Sequence, residues 1–423
     1  MTKETQKALL FCIPLVTVEL LIHYVIIDQP YLAMRQTFQA EFFLHLQAFP
    51  FQYRILSIAQ AALLQKLGVP FEYSYLVIKG LWLPPAGILI FRFFMRAVSF
   101  DRSLIGLLFF LAALPLTFIN VYFQETDDAN LVFYLLGYFL IAERGDLLLG
   151  LLLAVSMLNR ETPILLPFFW FLFRWDELPF RTLISRFCAL VGVAFSTYAV
   201  LRFHYGHLPA NDDFWNLSRN ITDPLSFVAL AVWLGPFLPF ALRNRNSCSK
   251  FFQRGLLFVP FFVLFHFCIG RFAESRYLLP IFPLVAACAL TKKKPSDAKQ
   301  GDLPAQEKIL QLSRRSSFFA YLALIVLFGA STRVYYSYVR LRHMHGISDK
   351  ERANWNLKRG DIALAYGSDD EAATEWEKGL EFDSECLLLH RRLALLYSTR
   401  LNEPDKATKH QQEADRLGRK VIQ

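Results

Sequence analysis

Two charged residues, Arg160 and Glu161, interrupt an apolar run that covers residues 147–173. A charged side chain at the centre of a bilayer costs about 2.5–3.5 kcal/mol on insertion scales, so such residues persist where they face a polar cavity or a charged partner. A guanidinium can bind a phosphate or a carboxylate through two parallel hydrogen bonds. The segment Asn159–Thr162 is therefore a candidate functional site. A structural ion pair that holds a broken helical hairpin is the alternative.

Other charged residues lie at the ends of apolar segments, and the predicted topology places them on the same side of the membrane as this pair. Asp28 follows the first segment, Asp127 and Asp128 precede the fourth, and Glu274 and Arg276 precede the tenth. The alternative role for Asp127 and Asp128 is to cap the N-terminus of a helix. The alternative role for Arg276 is to extend its charged end to the membrane surface. The convergence of these groups, more than any single motif, predicts a polar site.

The composition predicts an all-α polytopic membrane protein. Of the 423 residues, 54% are hydrophobic and 16% are aromatic, and the apolar residues occur in long blocks. These blocks form about eleven helical passages, at residues 8–27, 73–96, 103–121, 129–142, 147–158, 162–173, 181–203, 225–242, 254–269, 277–290 and 317–332. Two of them, 147–158 and 162–173, are each too short to cross a hydrocarbon core of ~30 Å as a straight helix. We therefore predict that they form a broken hairpin among longer helices.

The basic residues of the loops predict the orientation of these passages. With the N-terminus inside, most lysines and arginines fall in inner loops, including the loop 243–254 and the run Lys292–Lys294. One continuous span over 147–173 would place both of these basic loops outside. The net charge of +9 therefore reflects membrane topology and does not indicate a nucleic-acid partner. The predicted location is the bacterial inner membrane, with the C-terminal part of the chain outside.

The chain after residue 340 is rich in charged residues and helix formers. Glu371–Thr374 and Asp405–Thr408 align at a spacing of 34 residues, and each follows a helix of small residues that ends in a tyrosine, Tyr366 or Tyr397. This pattern resembles one and a half to two tetratricopeptide repeats, which would bind a protein partner.

The predicted domains are a polytopic membrane domain at 1–340 and a tetratricopeptide-like helical domain at 345–423. Because two repeats form only a small hydrophobic core, we expect the second domain to pack on the outer loops or on a partner protein. The longest outer loop, 28–72, is predicted to form amphipathic helices on the membrane surface.

Short segments within residues 8–290 resemble the C-type membrane glycosyltransferases. Asp28–Tyr31 stands where that family often has two acidic residues before an aromatic one, although Gln29 replaces the second acid. Phe51–Leu56 and Leu158–Thr162 are similar to segments of bacterial membrane proteins usually grouped with this superfamily. Arg276–Pro280 is similar to a late Arg-Tyr-Leu-Leu-Pro segment of the same group.

The resemblance implies transfer of a sugar from a polyprenyl-phosphate donor to an acceptor on the outer side of the membrane. An acceptor hydroxyl needs a carboxylate as general base, and Asp28 is the first candidate, followed by Asp127 and Asp128. The donor lipid would enter sideways from the bilayer. The sequence leaves the cofactor open, a divalent cation included.

The leaving phosphate needs fixed positive charge, which arginine provides in a planar fork. Under the resemblance, Arg160 and Arg276 would bind the phosphate and Glu161 would orient Arg160. The other residues expected in the same cavity are Tyr53, Arg54 and Glu274.

Two other classes of function stay open. A transporter or flippase of a lipid-linked sugar would use the same charges without bond chemistry. Glu19 and His23, four residues apart on one helical face, would then be its proton relay, although such a pair more often bonds to a neighbouring helix. A non-catalytic assembly protein would use the membrane domain as an anchor for the repeats.

Overall fold

The structure is a computed structural model that describes residues 13–14, 16–21, 24, 32–44, 53–118, 125–206, 216–270, 272, 274–291, 330, 333, 349–365 and 367–422. Within these ranges there is no strand, so the all-α prediction is confirmed. The chain divides into two compact units. The first is Met1–Gln29 with Ala48–Tyr336, and the second is Pro30–Gln47 with Ser337–Gln423.

The described helices differ widely in length. In chain order they are α1 (Leu32–Phe43), α2 (Ile55–Lys66), α3 (Phe71–Met95), α4 (Phe100–Ala113), α5 (Glu125–Ala142), α6 (Asp146–Met157), α7 (Leu166–Arg174), α8 (Phe180–Tyr205), α9 (Leu217–Thr222), α10 (Pro224–Trp233), α11 (Leu238–Asn244), α12 (Lys250–Ile269), α13 (Phe282–Leu290), α14 (Asp349–Ala365), α15 (Asp369–Phe382), α16 (Leu387–Thr399) and α17 (Pro404–Ile422). Short 3₁₀ segments interrupt the first unit at Leu114–Phe118, Thr162–Leu165, Arg245–Ser247 and Ser275–Leu278. Helices α1 and α14 to α17 belong to the second unit.

Three of the described helices are long and apolar enough to cross a membrane, namely α3, α8 and α12. Helices α10 and α11, bent by 49° at a short break, would add a fourth if they form one span. These helices are compatible with a membrane protein, but they do not confirm eleven passages. The predicted passages at 8–27 and 317–332 lie largely outside the described residues. Several others are shorter than expected because the chain breaks into 3₁₀ or bent segments within them.

The predicted break in the apolar run 147–173 is confirmed. Helix α6 ends at Met157, a 3₁₀ turn follows at Thr162–Leu165, and α7 begins at Leu166. Pro163 and Pro167 lie at the starts of these two elements. Proline lacks a backbone N–H and is tolerated where a helix begins, so this local chemistry places the break.

Aromatic side chains fill the core of the first unit. The ring of Phe282 lies 5.5 Å from that of Trp233 and 5.4 Å from that of Phe237, while Phe93 lies 5.7 Å from Tyr138 and 5.2 Å from Phe252. These contacts join α3, α5, α10, α12 and α13. Large aromatic contacts of this kind explain how short and broken helices are held together.

The second unit contains two helix pairs, α14 with α15 and α16 with α17, joined by short loops. Trp376 is fully buried, and its indole Nε1 donates a hydrogen bond of 2.9 Å to the carbonyl of Leu357. Gly360 faces the same ring, and a Cβ there would overlap the indole. Ala372 and Leu389 complete the contact between the pairs. The pairs agree with the predicted helical arrangement, while the tetratricopeptide assignment itself stays a prediction.

Helix α1, from the long loop 28–72, belongs to the second unit and packs against α14. Its Glu41 carboxylate lies 3.1 Å from the ammonium of Lys358. Arg35, Gln39 and Phe42 are buried and share one face at helical spacing. The contact between α1 and α14 agrees with the expectation that the C-terminal domain packs on a loop of the membrane domain. The sequence had instead predicted that α1 itself lies along the membrane surface.

Candidate functional site

Arg160 lies in the break between α6 and α7, and its side chain is only 2% exposed. Its Nη1 donates a hydrogen bond to Oδ1 of Asp127, in the first turn of α5. The guanidinium of Arg276 donates to the other oxygen, Oδ2, at 2.9 Å. The ring of Tyr277 lies 5.0 Å from the Arg160 guanidinium and 5.3 Å from that of Arg276. Two arginines therefore share one carboxylate and one aromatic ring.

Glu274 completes this side of the site. Its Oε2 accepts hydrogen bonds from Nε of Arg276 at 3.0 Å and from Nη2 at 2.5 Å. The 3₁₀ segment Ser275–Leu278 begins immediately after Glu274 and holds the arginine. The predicted convergence of Asp127, Arg160, Glu274 and Arg276 is therefore present in the structure.

Glu161 binds Arg54 and not Arg160. Its two oxygens accept hydrogen bonds from Nη2 of Arg54 at 2.6 Å and from Nε at 3.2 Å. The start of α2 is anchored to the same break, because the amide of Leu56 donates to the carbonyl of Leu158 at 3.0 Å. The prediction that Glu161 orients Arg160 is thus wrong. Arg54 lies in the site, as predicted, where it is the partner of Glu161.

Tyr53, which precedes Arg54, packs against the end of α8. Its hydroxyl donates a hydrogen bond of 2.9 Å to the carbonyl of Gly206, and its ring lies 5.8 Å from Tyr198. Burial raises the pKa of the Tyr53 phenol above its ordinary value. These contacts join the segment before α2 to the end of α8, and the cavity role that the sequence suggested stays a prediction.

Asp128 has a partner that sequence analysis missed. Its Oδ2 lies 2.9 Å from Nζ of Lys79, and the two side chains are 3% and 0% exposed. Lys79 lies within the apolar passage 73–96, whose other cations, Arg92 and Arg96, fall near its end. A charge inside an apolar run is the signal that also marks Arg160, so it could have identified Lys79 from the sequence. Both proposed capping aspartates are therefore bound by cationic side chains.

Glu19, in the helical stretch 16–21, is fully buried, and the charges of Lys79 and Asp128 act on it. Within the described part of the chain, neither of its carboxylate oxygens has a hydrogen-bond partner. Its suggested relay partner His23 lies outside the described residues, as does the catalytic candidate Asp28.

Hydrogen bonds from α5 hold the break in place. Nδ2 of Asn159 donates to the carbonyl of Thr126 at 2.8 Å, and the hydroxyl of Tyr134 donates to the carbonyl of Thr162 at 2.6 Å. Oγ1 of Thr162 donates to Oδ1 of Asn130 at 3.3 Å. These bonds satisfy polar groups that would otherwise be exposed to an apolar surrounding.

Three buried polar atoms of the break have no hydrogen-bond partner among the described residues. They are Nε and Nη2 of Arg160 and Oδ1 of Asn159. Leaving a buried donor unsatisfied costs about 1–3 kcal/mol, and more for a charged group. Such atoms are expected where a ligand completes the hydrogen bonds.

The ion pairs of the site are balanced in charge. The cations of Arg54, Arg160, Arg276 and Lys79 face the carboxylates of Glu161, Asp127, Glu274 and Asp128. An incoming anion must therefore either use the unbonded nitrogens of Arg160 or displace a carboxylate from its arginines. In the described state, the carboxylates of Asp127 and Asp128 are both bound by cationic side chains.

Nothing in the described chain brings three His, Cys, Asp or Glu side chains together as metal ligands. No protein-family model, no curated protein and no solved structure matches this chain. Functional inference therefore depends on the chemistry of the site.

Proposed function

We propose that this protein is a membrane glycosyltransferase that moves a sugar from a polyprenyl-phosphate donor to an acceptor. The observation that supports it best is the buried guanidinium of Arg160, whose Nε and Nη2 are unbonded within the described residues. These two nitrogens lie on one edge of the guanidinium, the geometry that binds a phosphate through parallel hydrogen bonds.

The surroundings of Arg160 favour a lipid-linked anion over a soluble one. Arg160 lies in the break between α6 and α7, which are both apolar, and its guanidinium lies beside the ring of Tyr277. A donor with a polyprenyl chain can keep that chain in the bilayer while its phosphate reaches a buried arginine. A soluble phosphate would have to lose its hydration without this compensation.

In the proposed reaction, the acceptor hydroxyl attacks the anomeric carbon and the bond from that carbon to the phosphate oxygen breaks. Polyprenyl phosphate leaves, and Arg160 and Arg276 stabilise its negative charge. The hydroxyl proton passes to a carboxylate, for which Asp28 is the candidate. Asp127 holds both arginines until the phosphate binds.

The finer topology is part of this proposal. The short and bent helices would complete about eleven passages of a bacterial inner-membrane protein, with the N-terminus inside. The C-terminal unit would lie outside and act as a tetratricopeptide-like module for a protein partner.

Donor binding to the purified full-length protein tests the proposal. Arg160→Lys keeps the charge but loses the fork, so it should weaken binding of a polyprenyl-phosphate sugar at least tenfold. Arg186→Lys is the matched control, because Arg186 is half exposed and pairs with Asp146 on the surface. Thermal unfolding in detergent should be similar for both variants.

Labelled sugar transferred to an acceptor extract would complete the test. Unchanged donor binding in Arg160→Lys would overturn the phosphate role. Loss of folded protein without any change in affinity would show that Arg160 is purely structural.

The buried group of Glu19, Lys79 and Asp128 favours a second candidate, a proton-coupled transporter of a lipid-linked sugar. Glu19 is a buried carboxylate without a hydrogen-bond partner among the described residues, and transporters use buried carboxylates within the membrane to exchange protons. In proteoliposomes, a transporter would move the lipid-linked sugar without cleaving it, and Glu19→Gln would abolish its dependence on a pH gradient. Sugar transfer that persists in Glu19→Gln would favour the transferase.

A further inference from the structure

A groove of about 780 Å³ runs between α3, α5 and α6 of the first unit. Most of its lining is aliphatic or aromatic, with Leu89 and Met95 from α3 and Leu136 from α5. It is separate from the arginine site, since none of the residues that line it belongs to the charged pairs described above. It therefore needs its own explanation.

One wall of the groove presents an apolar stripe to the outside. Leu148, Leu151 and Val155 of α6 are 56%, 59% and 47% exposed. Their spacing places them on one face of the helix. In a membrane protein such a face contacts hydrocarbon, and the groove beside it can hold an extended chain.

The polar residues of the groove are collected at one end. Arg96, at the end of α3, donates to Oε1 of Glu143, and its guanidinium lies 4.3 Å from the ring of Phe139. Arg92, one turn earlier, is exposed and has no hydrogen bond or ion pair within the described chain. The groove therefore ends in one neutralised pair and one free cation.

We propose that this groove is a binding site for an anionic phospholipid, with an acyl chain along α6 and the phosphate beside Arg92. An apolar channel with a single basic end matches an amphiphile with one negative head group. Basic residues near a membrane surface attract anionic lipids with about 1 kcal/mol each, which corresponds to about a fivefold preference.

Native mass spectrometry of the full-length protein tests this site. Phosphatidylglycerol and phosphatidylcholine with identical acyl chains would be added to the detergent-purified protein, and retained lipid counted for each. Phosphatidylglycerol should be retained about fivefold better. Arg92→Gln should remove most of this preference.

Arg243→Gln is the matched control, because Arg243 is also exposed and has no hydrogen bond or ion pair within the described chain, but does not line the groove. Leu151→Trp fills the groove while keeping the surface apolar, so it should lower retention of both lipids. Leu264→Trp, on α12 and 61% exposed, should not.

Equal loss of preference in Arg92→Gln and Arg243→Gln would overturn the site, because general surface charge would explain the selectivity. Unchanged retention in Leu151→Trp would overturn it as well. Stronger retention of polyprenyl phosphate than of phosphatidylglycerol would assign the groove to the donor lipid and overturn the phospholipid proposal. Arg160→Lys should leave phospholipid retention unaltered, so failure of this proposal is separate from failure of the proposed enzyme.

Discussion

Arg160 and Arg276 donate hydrogen bonds to opposite oxygens of one buried carboxylate, that of Asp127. Each arginine lies in or beside a 3₁₀ segment and not in a regular helix. Irregular backbone in an apolar surrounding is tolerated where it is buried in protein or lines a polar cavity. The two breaks therefore meet at a buried cluster of charged side chains.

Removing the shared carboxylate should destabilise the protein strongly. Asp127→Asn leaves two buried guanidinium groups without their common counter-charge, which typically costs about 3–5 kcal/mol. Chemical denaturation in detergent would measure the free energy of unfolding. Asp176→Asn is the matched control, since the exposed Asp176 also contacts two cations, Lys250 and Arg254, and its loss should cost about 0–1 kcal/mol. Equal effects would show that Asp127 does not act as a buried bridge.

The buried pair of Lys79 and Asp128 should be strongly coupled. Lys79→Met alone leaves a buried carboxylate unpaired, whereas Lys79→Met combined with Asp128→Asn removes both charges. We therefore expect the double variant to be more stable than the Lys79→Met variant. A double-mutant cycle measured by unfolding would give the coupling energy. Additive losses would mean that the two groups do not interact in the folded protein.

The second unit should lose stability as the pH falls. Nδ1 of His390 lies 3.0 Å from Nδ1 of His410, and Nε2 of His390 lies 3.0 Å from the carbonyl of Ser384. Burial first, and the neighbouring His390 second, lower the pKa of His410 below its ordinary value, while Glu377 raises it and the nearby lysines lower it further.

A lowered folded-state pKa means that the unfolded chain binds the proton more tightly. The contribution of His410 is therefore intact above a pH of about 6.5 and is lost as the pH falls from there through the folded-state pKa. Hydrogen exchange of α16 and α17 in the full-length protein, corrected for intrinsic rates, would show weaker protection at pH 5.5 than at pH 7.5. His410→Gln should flatten this dependence; an unchanged pH profile would exclude His410 as its source.

Packing between the first helix pair should not tolerate a methyl group at Gly360. Gly360→Ala would drive a Cβ into the ring of Trp376 and should cost about 1–3 kcal/mol. Gly418→Ala is the matched control, because the nearest atom outside its helix lies 4.0 Å away and alanine favours a helix. Measuring the free energy of unfolding of the second unit in the Gly360→Ala and Gly418→Ala variants would test this prediction. A neutral Gly360→Ala would mean that the tryptophan can move aside.

Local chemistry in the sequence determines where many of the helices begin and end. The break before Pro163, the bend between α10 and α11 and the helices after residue 349 follow from prolines, apolar blocks and helix formers that act over a few residues. These signals are short-ranged, so they can be detected without knowledge of the fold. They also single out Arg160 and Arg276, because a charge within or beside an apolar block is visible from its neighbours alone.

Only the tertiary structure decides which charges are partners. Glu161 is adjacent to Arg160 in the chain but binds Arg54, while Asp127 and Asp128 bind different cations from different segments. An ion pair depends on distances of a few ångströms between side chains whose helices meet only on packing. For the same reason, the sequence does not show that α1 belongs to the second unit. Its contacts there, such as the ion pair of Glu41 with Lys358, form only when distant parts of the chain pack together.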